Sequence, residues 1–259
     1  MFRKKIKFSK QRCNLFRKVI LQMSQNVSAI HLGGSFSCTE ILDAIYNILM
    51  KPSERENFIL SKGHCSVLQY VILNYLGILK KNSLDNYSKS FGKFGVHPEI
   101  KNKGINASTG SLGHGLGMAA GFALSNRKKN TFVVLSDGEL QEGSTWESVM
   151  AIRNLNLSNI VAIIDNNDLQ SLERTSVTHP SMYPIEEKFR SFGWDSVACN
   201  GHDTKKILKV INNRKKNKPF CLVAKTIKGY PISFMKNNPI WHYRSPSVDE
   251  FKLAMKELE

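Results

Sequence analysis

Asp137 and Asn167 are the two residues from which chemistry is most readily read in this chain. Asp137 follows the apolar run Phe132–Leu135 and Ser136, and is itself followed by Gly138. Asn167 closes Asp165-Asn166-Asn167, directly after the apolar run Ile160–Ile164. A carboxylate, an amide oxygen and a nearby backbone carbonyl form a set of hard oxygens. Completed by phosphate oxygens and water, such a set suits Mg²⁺ or Ca²⁺ rather than zinc. Gly138 lets the backbone approach a phosphate closely. Asp-Gly and Asn-Asn are also common turn chemistry, so the pair alone is equally consistent with an ordinary strand–helix–strand unit.

The elements that must position these side chains follow from periodicity. Between the two apolar runs, Glu147–Leu155 alternates at helical spacing. A strand–helix–strand unit makes its strands parallel, which puts both polar termini at the carboxyl edge of one sheet. Open α/β sheets bind ligands at that edge. Further strands are predicted over Arg55–Ile59, Ser196–Asn200 and Phe220–Lys225. Helices are predicted from Leu15 through Val27 into His31, and over Thr39–Met50 with Ser37 or Thr39 as N-cap. Others fall at Val67–Leu76, Met118–Leu124, Ile185–Trp194, Asp203–Asn213 and Ser247–Glu259. The class is therefore α/β, a mostly parallel sheet with helices on both faces. Residues 80–105 read as a loop-rich insertion within one domain spanning 1–259.

Four histidines stand beside turn signals. His31 precedes Gly33-Gly34, which after a helix is ordinarily a C-cap and turn. His64 ends Ser61-Lys62-Gly63-His64, His97 lies in Val96-His97-Pro98-Glu99, and His242 follows Trp241. Each is by default structural, yet histidine can donate to anions or move protons near pH 7. The loop Thr109–Gly117 leads into an Ala/Gly-rich helix; its free N–H groups suit an anion, or simply mark a buried helix start. Glu142 and Glu147 follow Asp137 and are ordinarily helix-dipole partners.

The 259 residues suffice to bury roughly three quarters of the unfolded surface. No apolar run approaches the ~20 residues that cross a bilayer, so no membrane association is expected. Five cysteines without CxxC spacing suggest a reduced, cytoplasmic protein. The first acidic residue is Glu40, but the N-terminal stretch from Met1 lacks a signal-type apolar core and reads as helix, not leader. The formal charge is +16. It is spread in short runs such as Arg127-Lys128-Lys129 and Arg214-Lys215-Lys216, which read as solvated turns. Nucleic-acid binding is not expected; the charge is explained equally well by anionic substrates or by an acidic partner.

Asp137-Gly138 followed by Asp165-Asn166-Asn167, with Glu-Leu-Gln-Glu-Gly after the first and Asp-Leu-Gln after the second, resembles the thiamine-diphosphate signature of the transketolase family. Ser136 departs from the usual first glycine. The segments His31-Leu32-Gly33-Gly34-Ser35, Ser61–His64 and Val96–Glu99, with Val96 for the usual glycine, resemble the family in the same order. The resemblance implies a thiamine-diphosphate-binding (PP-domain) fold. It implies Mg²⁺ held by Asp137, Asn167 and the Leu169 carbonyl, with Ca²⁺ able to substitute. It places His64, Gly110, Leu112, Asp137, Gly138 and Asn167 on the cofactor. His31, His64, His97 and His242 are implied in proton transfer and hydroxyl binding, and Glu142 and Glu147 in a buried acid relay between two active sites. His114 stands where glutamine is common.

A single-chain transketolase is more than twice this length, and no candidate here matches the pyrimidine-binding half. The resemblance therefore implies a split enzyme. This chain would be its N-terminal subunit and would work with a C-terminal, pyrimidine-binding partner subunit in a heterotetramer. The reaction implied is transfer of a two-carbon ketol unit from a ketose or ketose phosphate to an aldose. Two alternatives stand beside it: a related ketol synthase acting on a specialised sugar, and a non-catalytic scaffold or basic binding subunit that keeps the fold.

Overall fold

The computed structural model describes residues 9–50, 57–80, 82–171 and 173–259. The expected strand start at Arg55 and the basic stretch at Met1–Lys5 lie outside the described residues. Five strands, β1 (Asn57–Leu60), β2 (Thr131–Ser136), β3 (Ile160–Asn166), β4 (Asp195–Asn200) and β5 (Phe220–Lys225), form one sheet in the order β1-β2-β3-β5-β4. Every pairing is parallel. The chain advances from β1 to β3, skips to the edge for β4 and returns through β5, so the order reverses beside β3. That reversal opens a crevice at the carboxyl edge.

Strand residues alternate between two cores. Phe58, Phe132, Val134, Val161, Ile163 and Leu222 face one, and Ile59, Val133, Leu135, Ala162, Ile164 and Val223 face the other. The first core is covered by α1 (Ser9–Ser24), α2 (Leu32–Ser37), α3 (Thr39–Ala44), α4 (Ser66–Tyr75), and further on by α9 (Thr204–Asn212) and α10 (Val248–Glu257). The second is covered by α5 (Gly115–Ser125), α6 (Gly143–Asn154) and α8 (Ile185–Ser191). A short turn, α7 (Thr175–Thr178), lies in the loop between β3 and α8. Helices on both faces explain why the strands read as nearly continuous apolar runs. Among the described residues no helix is long and apolar enough to cross a membrane.

Three local expectations are corrected. The first helix stops at Ser24 instead of reaching His31, with Ser24 Oγ donating back to the Leu21 carbonyl at 2.6 Å. Gly33-Gly34 is not a turn but part of α2, all of which is buried. A Cβ on Gly33 would lie 2.9 Å from the Trp241 carbonyl oxygen, so close packing selects glycine there against its poor helix propensity. The helix expected over Thr39–Met50 is α only to Ala44 and continues as a π turn over Ile45–Leu49. Its cap is Cys38, because Ser37 Oγ donates to Gly34 and Asp165 while Thr39 Oγ1 donates to Ser35.

Candidate active site

The register sets Ser136 beside Asp165 and Asn166 beside Lys225, so the ends of β2, β3 and β5 open into one crevice. Asp137 is buried, 4% exposed, and accepts the N–H of Gly138 at 2.9 Å and of Asp168 at 2.6 Å. Thr175 Oγ1 is 3.5 Å away. These donors are all neutral. Burial, and then the charge of Asp165, push the Asp137 carboxyl up to about 6. Such a carboxylate is short of positive charge, which is what a cation would supply.

Asn167 is held in one orientation. Its Nδ2 donates to Ser37 Oγ at 3.2 Å and to Asp165 Oδ2 at 3.3 Å, and its Oδ1 accepts the Leu169 N–H at 3.0 Å. The amide oxygen therefore faces away from Asp165 and keeps acceptor capacity. Asp165, fully buried, accepts from Ser37, Lys62 and Thr226 as well. Ser136, the departure from the expected glycine, turns its hydroxyl inward to accept the Glu139 N–H at 3.2 Å.

One cavity of about 270 Å³ gathers His64, Gly110, Leu112, Asp137, Gly138, Glu142, Asn167, Leu169 and His242. Two further predicted histidines stand against it. The His31 ring centroid is 5.2 Å from that of His64 and 5.2 Å from that of His242. His97 packs on Gly110, where a Cβ would come within 2.9 Å of its ring. Burial, then His64, lower His31 to about 3. Burial, then Lys228, lower His242 to about 4, and burial lowers His97 as well. All three are thus neutral at pH 7, each with one nitrogen lone pair, that of His242 Nδ1 facing Lys228 Nζ at 3.0 Å. His31 Nδ1 is buried without a hydrogen-bond partner among the described residues, as a group awaiting a ligand would be.

Glu142 and Glu147 are both exposed, and only Glu142 borders the cavity. Within this single chain they form no buried relay. The glutamate of this segment that is buried is Glu139, 0% exposed, and burial raises its carboxyl. His114 is exposed, with Nδ1 3.2 Å from the Leu112 carbonyl oxygen.

Sequence reasoning missed two lysines. Lys62 is 1% exposed and its Nζ donates to Asp165 and to the Gly34 carbonyl. Burial lowers its pKa most, but Asp165, Cys65 and Cys38 together raise the amine well above its ordinary value. Lys228 is 2% exposed, with Nζ 3.1 Å from the Leu169 carbonyl oxygen and 2.6 Å from that of Gln170. Burial, then Lys62, lower it to about 8. Both border the cavity, and two amines beside glycine backbone suit an anion such as a diphosphate. The signal was available: Lys62 sits inside Ser-Lys-Gly-His, and Lys228 three residues beyond β5, the strand paired with β3. Tyr243 was also passed over; its half-exposed ring lies 4.4 Å, centroid to centroid, from that of His31.

Among the described residues no group of three His, Cys, Asp or Glu side chains could hold a metal. The donors at Asp137, Asn167 and Leu169 are instead one carboxylate, one amide oxygen and one carbonyl. That set fits a hard cation shared with a diphosphate and misfits zinc.

Comparison with known proteins gives the family. Residues 9–257 match the family described as transketolase, thiamine diphosphate binding domain. An apulose-4-phosphate transketolase subunit of Phocaeicola vulgatus is 33% identical over 93% of this chain and 90% of its own. A 6-deoxy-6-sulfo-D-fructose transketolase subunit of Clostridium sp. is 32% identical over 95% and 94%. Human transketolase is 29% identical over 92% of this chain, which spans 40% of the human protein. The fold superposes on the crystal structure of Campylobacter jejuni transketolase with a TM-score of 0.90, at 24% identity, covering 98% of this chain and 43% of that one. The chain belongs to the transketolase family and carries its thiamine diphosphate-binding domain.

Proposed function

We propose that this chain is the N-terminal, diphosphate-binding subunit of a split transketolase. It would transfer a two-carbon ketol unit from a ketose or ketose phosphate to an aldose, with thiamine diphosphate and Mg²⁺. The observation that carries this reading is the convergence of Asp137, Asn167 and Leu169 with two buried lysines and a cluster of histidines in and against one cavity. Asp137, Asn167 Oδ1 and the Leu169 carbonyl would hold Mg²⁺, and Ca²⁺ could replace it. His64, Gly110, Leu112 and Gly138 would line the cofactor. When bound, thiamine diphosphate supplies the carbon nucleophile and electron sink for breaking a carbon–carbon bond. The histidines supply what surrounds that chemistry. His31, with its unpartnered Nδ1, can accept a hydroxyl proton, and His64, His97 and His242 can hold the substrate's other oxygens.

Two relatives that match this chain nearly end to end are named as transketolase subunits rather than as whole transketolases. Their names support a partner: a C-terminal, pyrimidine-binding subunit, joined with this one in a heterotetramer. Glu142 and Glu147, exposed here, would enter a relay only where another chain covers them. Residues 1–259 would act as one domain, in the cytoplasm, and the +16 charge would draw sugar phosphates toward the site. Those same names favour a second reading, in which the cofactor chemistry is kept and the sugar is a specialised one. Reconstituting the chain with its partner and identifying products from a panel of ketose phosphates decides between them. No cofactor uptake by the complex would reject both and leave a scaffold role.

A further inference from the structure

Glu139 lies two residues beyond Asp137, fully buried, and it does not border the cavity. Its carboxylate is held by three neutral donors from three separate segments. Ser61 Oγ, just past β1, donates to Oε1. The Gly113 N–H, from the glycine loop before α5, donates to the same oxygen at 2.9 Å. The Ser136 N–H, at the end of β2, donates to Oε2 at 3.4 Å. These are the segments that carry Lys62 and His64, Gly110 and Leu112, and Asp137.

The seam between them is closely packed. A Cβ on Gly115 would lie 2.1 Å from Ser61 Oγ, and one on Gly63 would lie 2.9 Å from the Gly110 nitrogen. Gly113 itself has φ +87, a left-handed conformation that places its N–H toward the acid without side-chain strain. An apolar residue could fill the same volume, but it would leave three buried donors without an acceptor. The acid is therefore there for its oxygens.

We propose that Glu139 is a positioning residue for the cofactor cavity. By accepting from all three segments at once, its carboxylate sets the spacing between the His64 loop, the glycine loop and Asp137. The two sides of a bound diphosphate and its metal are thereby gripped together. This rests on the cofactor reading of the cavity. Glu139 touches neither cofactor nor metal in this scheme; it acts through the groups that do.

The test is calorimetric titration of thiamine diphosphate with Mg²⁺ into the complex of this chain and its partner, for wild type, Glu139→Ala, Glu139→Gln and Ser61→Ala. Glu139→Ala should weaken binding by ~10–100-fold, the range seen when the supports of metal ligands are removed. Glu139→Gln should recover part of the loss, because its amide oxygen can still serve Ser61 and Gly113 while its NH₂ cannot accept from Ser136. Ser61→Ala removes one donor from the far side and should shift affinity in the same direction by less. Hydrogen exchange on the same samples should show faster exchange at the Gly113 and Ser136 amides of Glu139→Ala, with β3 and β5 still protected. Equal affinity of wild type and the Glu139 and Ser61 variants overturns the proposal alone. So does a loss of binding accompanied by loss of protection throughout the sheet, which makes Glu139 a stability residue only. A wild-type complex that takes up no cofactor overturns the reading of the cavity and this proposal with it.

Discussion

Lys228 Nζ lies 3.0 Å from His242 Nδ1 while also donating to the carbonyls of Leu169 and Gln170. An ammonium has three N–H groups and no lone pair, and a carbonyl can only accept. Two hydrogens go to the carbonyls, so the third meets Nδ1, which must be the unprotonated ring nitrogen. His242 then carries its proton on Nε2. In that tautomer it would be a hydrogen-bond donor to a substrate oxygen, and proton acceptance would fall to its neighbours.

Lys228→Met should release this constraint. His242 is lowered to about 4 by burial first and by Lys228 second. Removing the amine should raise the pKa without restoring the ordinary histidine value of about 6.5, since burial remains. Nitrogen-detected NMR titration of labelled histidine, assigned with His242→Gln, reads both pKa and tautomer. An unchanged His242 titration would show that the lysine does not set its state.

Buried neutral histidines also make stability depend on pH. His31 at about 3 and His242 at about 4 lie below the value near 6.5 of an unfolded chain. Protons therefore favour the unfolded state. The contribution is complete above pH 6.5 and is lost as pH falls toward 4 and then 3. Each histidine costs about 1.4 kcal/mol per pH unit in that window. Asp137, raised to about 6, works in the opposite sense: its ionisation destabilises the metal-free fold as pH rises from about 4 to 6. With His31, His242 and the lowered His97 against Asp137 and the raised Glu139, melting temperature should drop between pH 6 and 4. His31→Gln should flatten the slope, and a wild-type melt that does not change across this range contradicts the account.

The Lys62–Asp165 pair is 1% and 0% exposed. Lys62→Met should cost ~3–5 kcal/mol, because it leaves a buried carboxylate without its cation. Asp165 also holds Asn167 Nδ2, so the same variant should loosen the amide that offers its oxygen to the cavity. Urea denaturation measures the first effect. Adding Asp165→Asn should recover part of the loss, since the orphaned charge is then gone; a double variant worse than the sum of the two would argue against a pairwise role.

What could be read from the chain beforehand, and what could not, divides along a physical line. Thr131–Leu169 was legible because its information is local: two apolar runs at strand length, a helical period between them, and polar residues where the strands end. The five-stranded α/β layout follows from repeating that pattern. Gly33-Gly34 misled because local propensity reads a turn, whereas the helix there is imposed by packing against Trp241. Lys62, Lys228 and Glu139 were invisible for the same reason. A charged residue reads as surface until the fold brings its partner, and those partners come from 103, 59 and 78 positions away. The histidines were found through neighbouring motifs, but their closeness to one another is purely tertiary.

Asp137→Ala provides the sharpest check on the metal assignment. In the metal-free fold this carboxyl is raised to about 6, so near neutral pH it is ionised without a cationic donor of its own. Mg²⁺ entering beside Asn167 and Leu169 would require the ionised form, so binding competes with protonation. Below pH 6, Mg²⁺-dependent cofactor affinity should fall about tenfold per unit of pH, one proton being displaced per site. Above pH 7 it should level off. Calorimetry of the complex in buffers of different ionisation enthalpy counts the proton directly. Asp137→Ala should abolish the Mg²⁺-dependent part of binding. Asp137→Asn, which keeps an oxygen but loses the charge, should retain weak affinity with no pH dependence between 5 and 7. If Asp137→Ala binds thiamine diphosphate and Mg²⁺ as wild type does, the metal is held elsewhere and the clasp at the ends of β2 and β3 has another purpose.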